Sequence, residues 1–287
     1  MLVEKFEAYE KETVTIFEGY LKERRSCYDR LFSNMYKLYI LFNFLVDDQH
    51  VLDLEKAKTP IAILYAKTAL SHFGIYHCLF NGLIIEASIL LRSLFEIYVD
   101  VKVILEKDVE DRIPLWYDFK YITRKKQLDK NLELLESQKI SLEQFESTYP
   151  LHRVKKANEE YENVKANYNN GKSNHWAWSI YSNIARAQNK PITTKFICEQ
   201  LGISSQYVKV FSALSISTHS DSLIENLLVD RGKNTCAPIF NSNTISIGAL
   251  AVLYAGSIIE DVVKYLQYEY FKVFMDILAE ISLSALE

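Results

Sequence analysis

Apolar residues recur at helical spacing along most of the chain. The series Val14, Phe17, Leu21, Tyr28, Leu31, Met35, Leu38 and Phe42 advances by three, four or seven, which returns to one side of a helix. It predicts one long helix, or two stacked end to end, over residues 2–46, ended by Asp47-Asp48-Gln49-His50. Thr59-Pro60 reads as an N-cap followed by proline at the first helical position, so a second helix opens there and runs to about Phe80. Asn81-Gly82 marks a short turn or kink, and a third helix comes after it, to about Lys107.

The third helix is unusual. Its segment Leu83–Leu105, LIIEASILLRSLFEIYVDVKVIL, is apolar round almost the whole circumference, which predicts a central position. Ser88, Arg92, Glu96 and Asp100 nevertheless fall at i, i+4, i+8 and i+12, along one stripe. A charged stripe on an otherwise apolar helix calls for an ion partner, water or a ligand.

Beyond it, Asp108–Gln138 and Ser141–Ala166 are charged and amphipathic, and read as an antiparallel helical pair inserted at about 108–170. Ser141-Leu-Glu-Gln144 has the form of a capping box, and Pro150 is expected to break or kink the second member. Asn167–Asn174, NYNNGKSN, is a loop and a candidate hinge between two halves. Helices are expected over His175–Asn189, over a short stretch from Thr193 closed by Gly202, and over Gln206–Thr218 after a cap at Ser204 or Ser205. Asp230–Asn243 reads as a loop, and a last helix runs from Thr244 to about Leu283. No alternating strand pattern and no internal repeat stands out. The expected fold is all-α, an antiparallel helical bundle with long helices. Residues 1–56 form an N-terminal helical extension, and residues 57–287 form the bundle domain.

Composition supports this and narrows the chemistry. Only 8 Gly and 5 Pro interrupt the chain, as a mostly helical protein requires. A net charge of −4 disfavours non-specific nucleic-acid binding, which runs on phosphate neutralisation. Four dispersed cysteines without a CxxC read as reduced thiols of a cytoplasmic protein. The uncharged stretch Asn234–Ile259 is polar in its first half and reads as a buried core helix, so no membrane partner is expected. No metal or cofactor is expected either. His72 and His77 are five apart and diverge on a helix, HExxH is missing, and Ala166 stands where a phosphate loop ending in Gly171-Lys172-Ser173 needs its first glycine.

Two elements remain as candidate chemistry. Arg92 and Glu96 form either a solvated i,i+4 ion pair or an anion-binding arginine steadied by a carboxylate. Ser215-Ile-Ser-Thr-His219 places a serine and a histidine on one helix face, either for capping or for proton transfer near neutral pH. Asp221 stands close enough in sequence to set the His219 tautomer. A basic stretch, Lys120, Arg124, Lys125, Lys126 and Lys130 with Tyr117 and Tyr121, is either a solvated helix face or a nucleic-acid contact.

The segment Ser88-Ile-Leu-Leu-Arg92-Ser-Leu-Phe-Glu96 resembles a helix in a family of bacterial proteins of unassigned function. Members pair an R-S-x-x-E helix with a later Tyr…S-x-x-x-H element, here Tyr207…Ser215-Ile-Ser-Thr-His219, with a Trp-Ser upstream that Trp178-Ser179 matches. The resemblance covers roughly residues 60–265. It implies an all-helical protein with a central bundle, distantly similar to the HEPN superfamily, whose ribonuclease members often serve in toxin–antitoxin and phage-defence systems. HEPN ribonucleases carry arginine and histidine in one R-x(4–6)-H motif, and no arginine here precedes a histidine at that spacing. The resemblance supports two expectations. One is a metal-independent ribonuclease or defence effector with Arg92, Glu96, Ser215 and His219 as its catalytic residues. The other is a non-catalytic interaction or small-anion-sensing protein in which those residues are structural. RNA or another protein is the expected partner, and a homodimer the expected assembly.

Overall fold

The computed structural model describes residues 18–47 apart from positions 20 and 24, and residues 59–212, 227–230, 235–238, 242–267 and 271–284. The fold is all-α. Its helices are α1 (Asp29–Asp47), α2 (Thr59–Phe80), α3 (Ile84–Glu106), α4 (Val109–Glu136), α5 (Leu142–Thr148), α6 (Leu151–Val164), α7 (Trp178–Ala187), α8 (Thr194–Gln200), α9 (Ser204–Tyr207), α10 (Ser242–Tyr265) and α11 (Phe271–Ser284). A 3₁₀ turn, Lys165–Tyr168, succeeds α6, and a π turn, Val208–Ser212, continues α9. The chain divides into two compact units, residues 1–102 with 203–287, and residues 103–202.

In the first unit, ring pairs set the direction of α1 against α2. Phe32 meets Tyr76 and Phe80, Tyr39 stacks on Phe73, and Phe42 meets Tyr65. One number rises as the other falls, so the helices are antiparallel. Gly82 adopts φ 74° in the turn to α3, a conformation that favours glycine. Gly74 of α2 then lies against Leu90 of α3, as a hairpin centred on that turn requires. Helix α10 packs on both α1 and α2. Its Gly248 allows that approach, since a Cβ there would stand 2.8 Å from Leu31 Cδ2. Between α3 and α10 the contacts advance together, from Phe95 against Tyr254 to Lys102 Nζ at 2.7 Å from Asp261, so this pair is parallel. The core is built from Met35 and Leu38 of α1, Ile61 and Ile75 of α2, Leu91 and Phe95 of α3, and Ala255 and Ile258 of α10. Helix α10 is also, by length and composition alone, apolar enough to cross a membrane.

The second unit is built on the α4–α6 pair. Phe119 meets Tyr168, Arg124 pairs with Glu160, and Asn131 donates to the Tyr149 hydroxyl, so α4 runs antiparallel to the stretch from Tyr149 to Tyr168. Both members of the capping box form: the Gln144 amide donates to Ser141 Oγ at 3.2 Å, and the Ser141 amide donates to Gln144 Oε1 at 2.9 Å. Pro150 divides α5 from α6, because a proline in the interior would lose a helical hydrogen bond. Thr193 caps α8 by accepting the Phe196 amide, and Gly202 stands beyond its end at φ 72°.

Several local expectations give way. The 167–174 loop is no hinge between halves, because it lies inside the second unit. Asn169, Asn170 and Gly171 turn it through left-handed backbone, Tyr168 is buried and donates to the Leu115 carbonyl, and Lys126 donates to the Ser173 carbonyl. Helix α9 starts at Ser204 after Ile203, with no side-chain cap. Part of the expected 230–243 loop pairs as a hairpin, β1 (Leu227–Asp230) antiparallel to β2 (Thr235–Pro238), with Val229 opposite Cys236. The last helix is two helices, and Gln267 at φ 53° ends the first.

Candidate functional site

The polar ladder of α3 runs from the core to the surface. At its inner end Ser88 is buried and donates to the Ile84 carbonyl at 2.8 Å, so its hydroxyl is satisfied by its own helix. One turn on, Arg92 Nε lies 3.7 Å from Glu96 Oε1, and the two side chains are 40% and 51% exposed. That is an i,i+4 ion pair on a partly solvated face, of the kind that contributes under ~1 kcal/mol. Partial burial pushes the Glu96 carboxyl above its ordinary value, and Arg92 pulls it down.

Phe211 gives Arg92 a second support. The guanidinium carbon stands 4.3 Å from the centre of that ring, within cation–π range. Phe211 is itself held by stacking on Tyr207 at 4.8 Å and by edge contact with Phe95 at 6.2 Å. Phe211 lies in the π turn, a distortion frequent at functional sites. It is also four residues before Ser215 in sequence. Ser215, His219 and Asp221 themselves lie outside the described residues.

The basic stretch of α4 is largely spent on structure. Arg124 pairs with Glu160 at 2.9 Å, and Lys125 pairs with Asp129. Lys126 donates to Ser173 O at 2.6 Å and to Asn174 Oδ1 at 2.9 Å, and Lys120 stands over the Tyr117 ring. Arg124 thus ties α4 to α6 and Lys126 ties it to the loop beyond, while Lys120 and Lys125 make contacts within α4. Trp178 opens α7, and its neighbour Ser179 donates to the Asn167 carbonyl. Among the described residues no group of three His, Cys, Asp or Glu could hold a metal ion. His72 is a core residue, hydrogen-bonded through Nε2 to the Met35 carbonyl at 2.8 Å, and complete burial lowers its pKa to about 4.

A second arginine site escaped the sequence reading. Arg112, on the first turns of α4, is 3% exposed. Its Nη1 donates to the Val103 carbonyl and, at 2.9 Å, to Glu106 Oε2. A cleft of about 440 Å³ adjoins it, lined also by Tyr181 of α7. Burial, with Glu106 adding to it, pushes the Tyr181 phenol up to about 12. The only signal in the sequence was a glutamate and an arginine six apart across a helix boundary, a spacing that no single-helix periodicity favours.

No curated protein and no solved structure matches the chain. A family model matches residues 58–235, more than half the chain, and that span holds both the Arg92–Glu96 helix and the Ser215–His219 element. The chain therefore belongs to the family described as a family of unknown function, DUF5677.

Proposed function

We propose that Arg92, Glu96, Ser215 and His219 form a HEPN-like, metal-independent ribonuclease centre in a cytoplasmic, homodimeric defence or toxin effector. The observation that carries this reading is the seating of Arg92. Its cation is steadied by Glu96 and by the ring of Phe211, four residues before Ser215 in sequence, yet stays two-fifths exposed. A buried structural network would have its charges out of water and fully hydrogen-bonded, and Arg92 is neither deeply buried nor closely paired.

On this reading His219 takes the proton from an RNA 2′-hydroxyl, whose oxygen attacks the adjacent phosphorus. The bond to the 5′-oxygen breaks, leaving a 2′,3′-cyclic phosphate, and the departing 5′-oxygen takes a proton from water to become a hydroxyl, after which His219 returns its own proton to solvent. Arg92 stabilises the charge gathering on the phosphoryl oxygens, Glu96 positions Arg92, and Ser215 orients His219 or holds a phosphate oxygen.

A second reading is an anion-sensing protein without chemistry. The net charge of −4, the paired cations of α4 and the missing R-x(4–6)-H spacing favour it. Incubation of the purified protein with total RNA in excess chelator separates the two. The ribonuclease reading expects cleavage that is lost in His219→Ala and falls at least about a hundredfold in Arg92→Ala, the scale of a removed charge-stabilising donor. No cleavage by the parent, or equal cleavage by His219→Ala, overturns it.

A further inference from the structure

The cleft beside Arg112 lies within residues 103–202, apart from the Arg92 centre in sequence and in chemistry. At about 440 Å³ it falls in the roughly 300–1,000 Å³ range of small-molecule pockets. Two deeply buried polar groups line it. Tyr181 is 5% exposed, and its hydroxyl has no hydrogen-bond partner among the described residues. Arg112 makes both of its hydrogen bonds through Nη1, so Nε and Nη2 have no protein acceptor among the described residues. None of these donors is sealed from solvent, so each can donate to an acceptor that enters the cleft.

The guanidinium edge and its surroundings set the nature of the acceptor. Nε and Nη2 form a planar fork that matches the two oxygens of a carboxylate. The acids Glu106, Asp108 and Asp111 outnumber the cations Lys107 and Arg112 along the lining. A dianionic phosphate meets repulsion there, whereas a carboxylate that also carries an ammonium does not. Asp108 is the N-cap residue of α4, but its side chain makes no capping bond, so its carboxylate is open to an ammonium. Leu115, Ile180 and Ile184 supply an apolar wall.

We infer that this cleft binds a free α-amino acid with an aliphatic side chain. Its carboxylate sits on Arg112 and the Tyr181 hydroxyl, its ammonium against Asp108 and Asp111, and its side chain on the apolar wall. Calorimetric titration of the full chain with L-leucine tests this. Saturable binding at one site is expected, with leucinamide and N-acetyl-leucine each at least about tenfold weaker, since each leaves one charged partner in the cleft unpaired. Tyr181→Phe removes only the hydroxyl. It should fold like the parent by circular dichroism and bind leucine about three- to tenfold more weakly, the usual effect of one hydrogen bond. The inference is overturned if the parent shows no saturable leucine binding or if leucinamide binds as well as leucine. It also fails if inorganic phosphate binds more tightly than leucine, or if folded Tyr181→Phe binds leucine like the parent. Equal binding of N-acetyl-leucine overturns it as well, and points instead to a peptide C-terminus.

Discussion

Arg92 and Arg112 are both paired with a glutamate about half in water, and the contrast lies in the arginines. Arg92 stands one helical turn from Glu96, at 3.7 Å, with both side chains about half in water. Arg112 reaches across a helix boundary to Glu106 at 2.9 Å and to a main-chain carbonyl, with 3% of its surface exposed. The first pair is conspicuous in the sequence and costs little to break. The second is invisible in the sequence and is the more demanding structurally, because a buried cation must be compensated on the spot. Regular spacing of charges along a helix thus reports an accessible face, whereas a buried charge is set by partners beyond that helix.

The difference can be measured. Arg112→Met keeps most of the volume and removes the charge and both bonds. It should lower unfolding stability by about 3 kcal/mol in urea titrations. A loss under about 1 kcal/mol would erase the contrast, since that is the scale of a surface pair.

Acid should destabilise both units. His72 in the first unit and His175 in the second have folded pKa values of about 4, lowered by burial from the ordinary 6.5. The Ala177 amide also donates to His175 Nδ1, which needs that nitrogen unprotonated. Between these pKa values the unfolded chain binds more protons than the folded one, so stability falls as pH drops through 6.5 toward 4. At pH 5 the loss should be about 2 kcal/mol relative to pH 7 from His72, with a comparable share from His175. His72→Gln should flatten the slope of stability against pH, and an unchanged slope would remove His72 from the account.

Ser141→Ala tests the second unit locally. Loss of the capping box should cost about 1 kcal/mol, read as faster amide exchange in α5 before any change in α2 or α3. Arg92→Ala should have the smallest effect, under about 0.5 kcal/mol on stability whatever it does to activity. A drop above about 1.5 kcal/mol in thermal or urea unfolding would show that Arg92 belongs to the structure, as Arg112 does, and would count against its role as an accessible anion ligand.

Much of the secondary structure was legible because its determinants are local. Thr59-Pro60, Asn81-Gly82, the Ser141–Gln144 box, Pro150 and Thr193 each act within about one turn of the backbone they punctuate, and each stands at or beside a helix end. The elements that went unread depend on distant partners. Leu227–Asp230 becomes a strand only because Thr235–Pro238 pairs with it. Gln267 ends α10 in left-handed backbone without the glycine that would have announced it. Val208–Ser212 widens into a π turn where Phe211 packs against Phe95 and Arg92.

The candidate site was legible in the same uneven way. Arg92 and Glu96 could be read as neighbours, because i,i+4 proximity is a property of helix geometry alone. The Phe211 support could not, because it joins residues 119 positions apart.

By itself, then, the sequence determined an all-α chain, the places where most helices start and stop, and the family to which the chain belongs. All of these rest on periodicity, caps and short motifs that act within a few residues. Only the tertiary structure decided which charges are buried, that Arg124 ties α4 to α6 and Lys126 ties it to the loop beyond, and that Arg112 and Tyr181 share a cleft. Burial and pairing are set by what lies across a packing interface. No spacing along one helix encodes that.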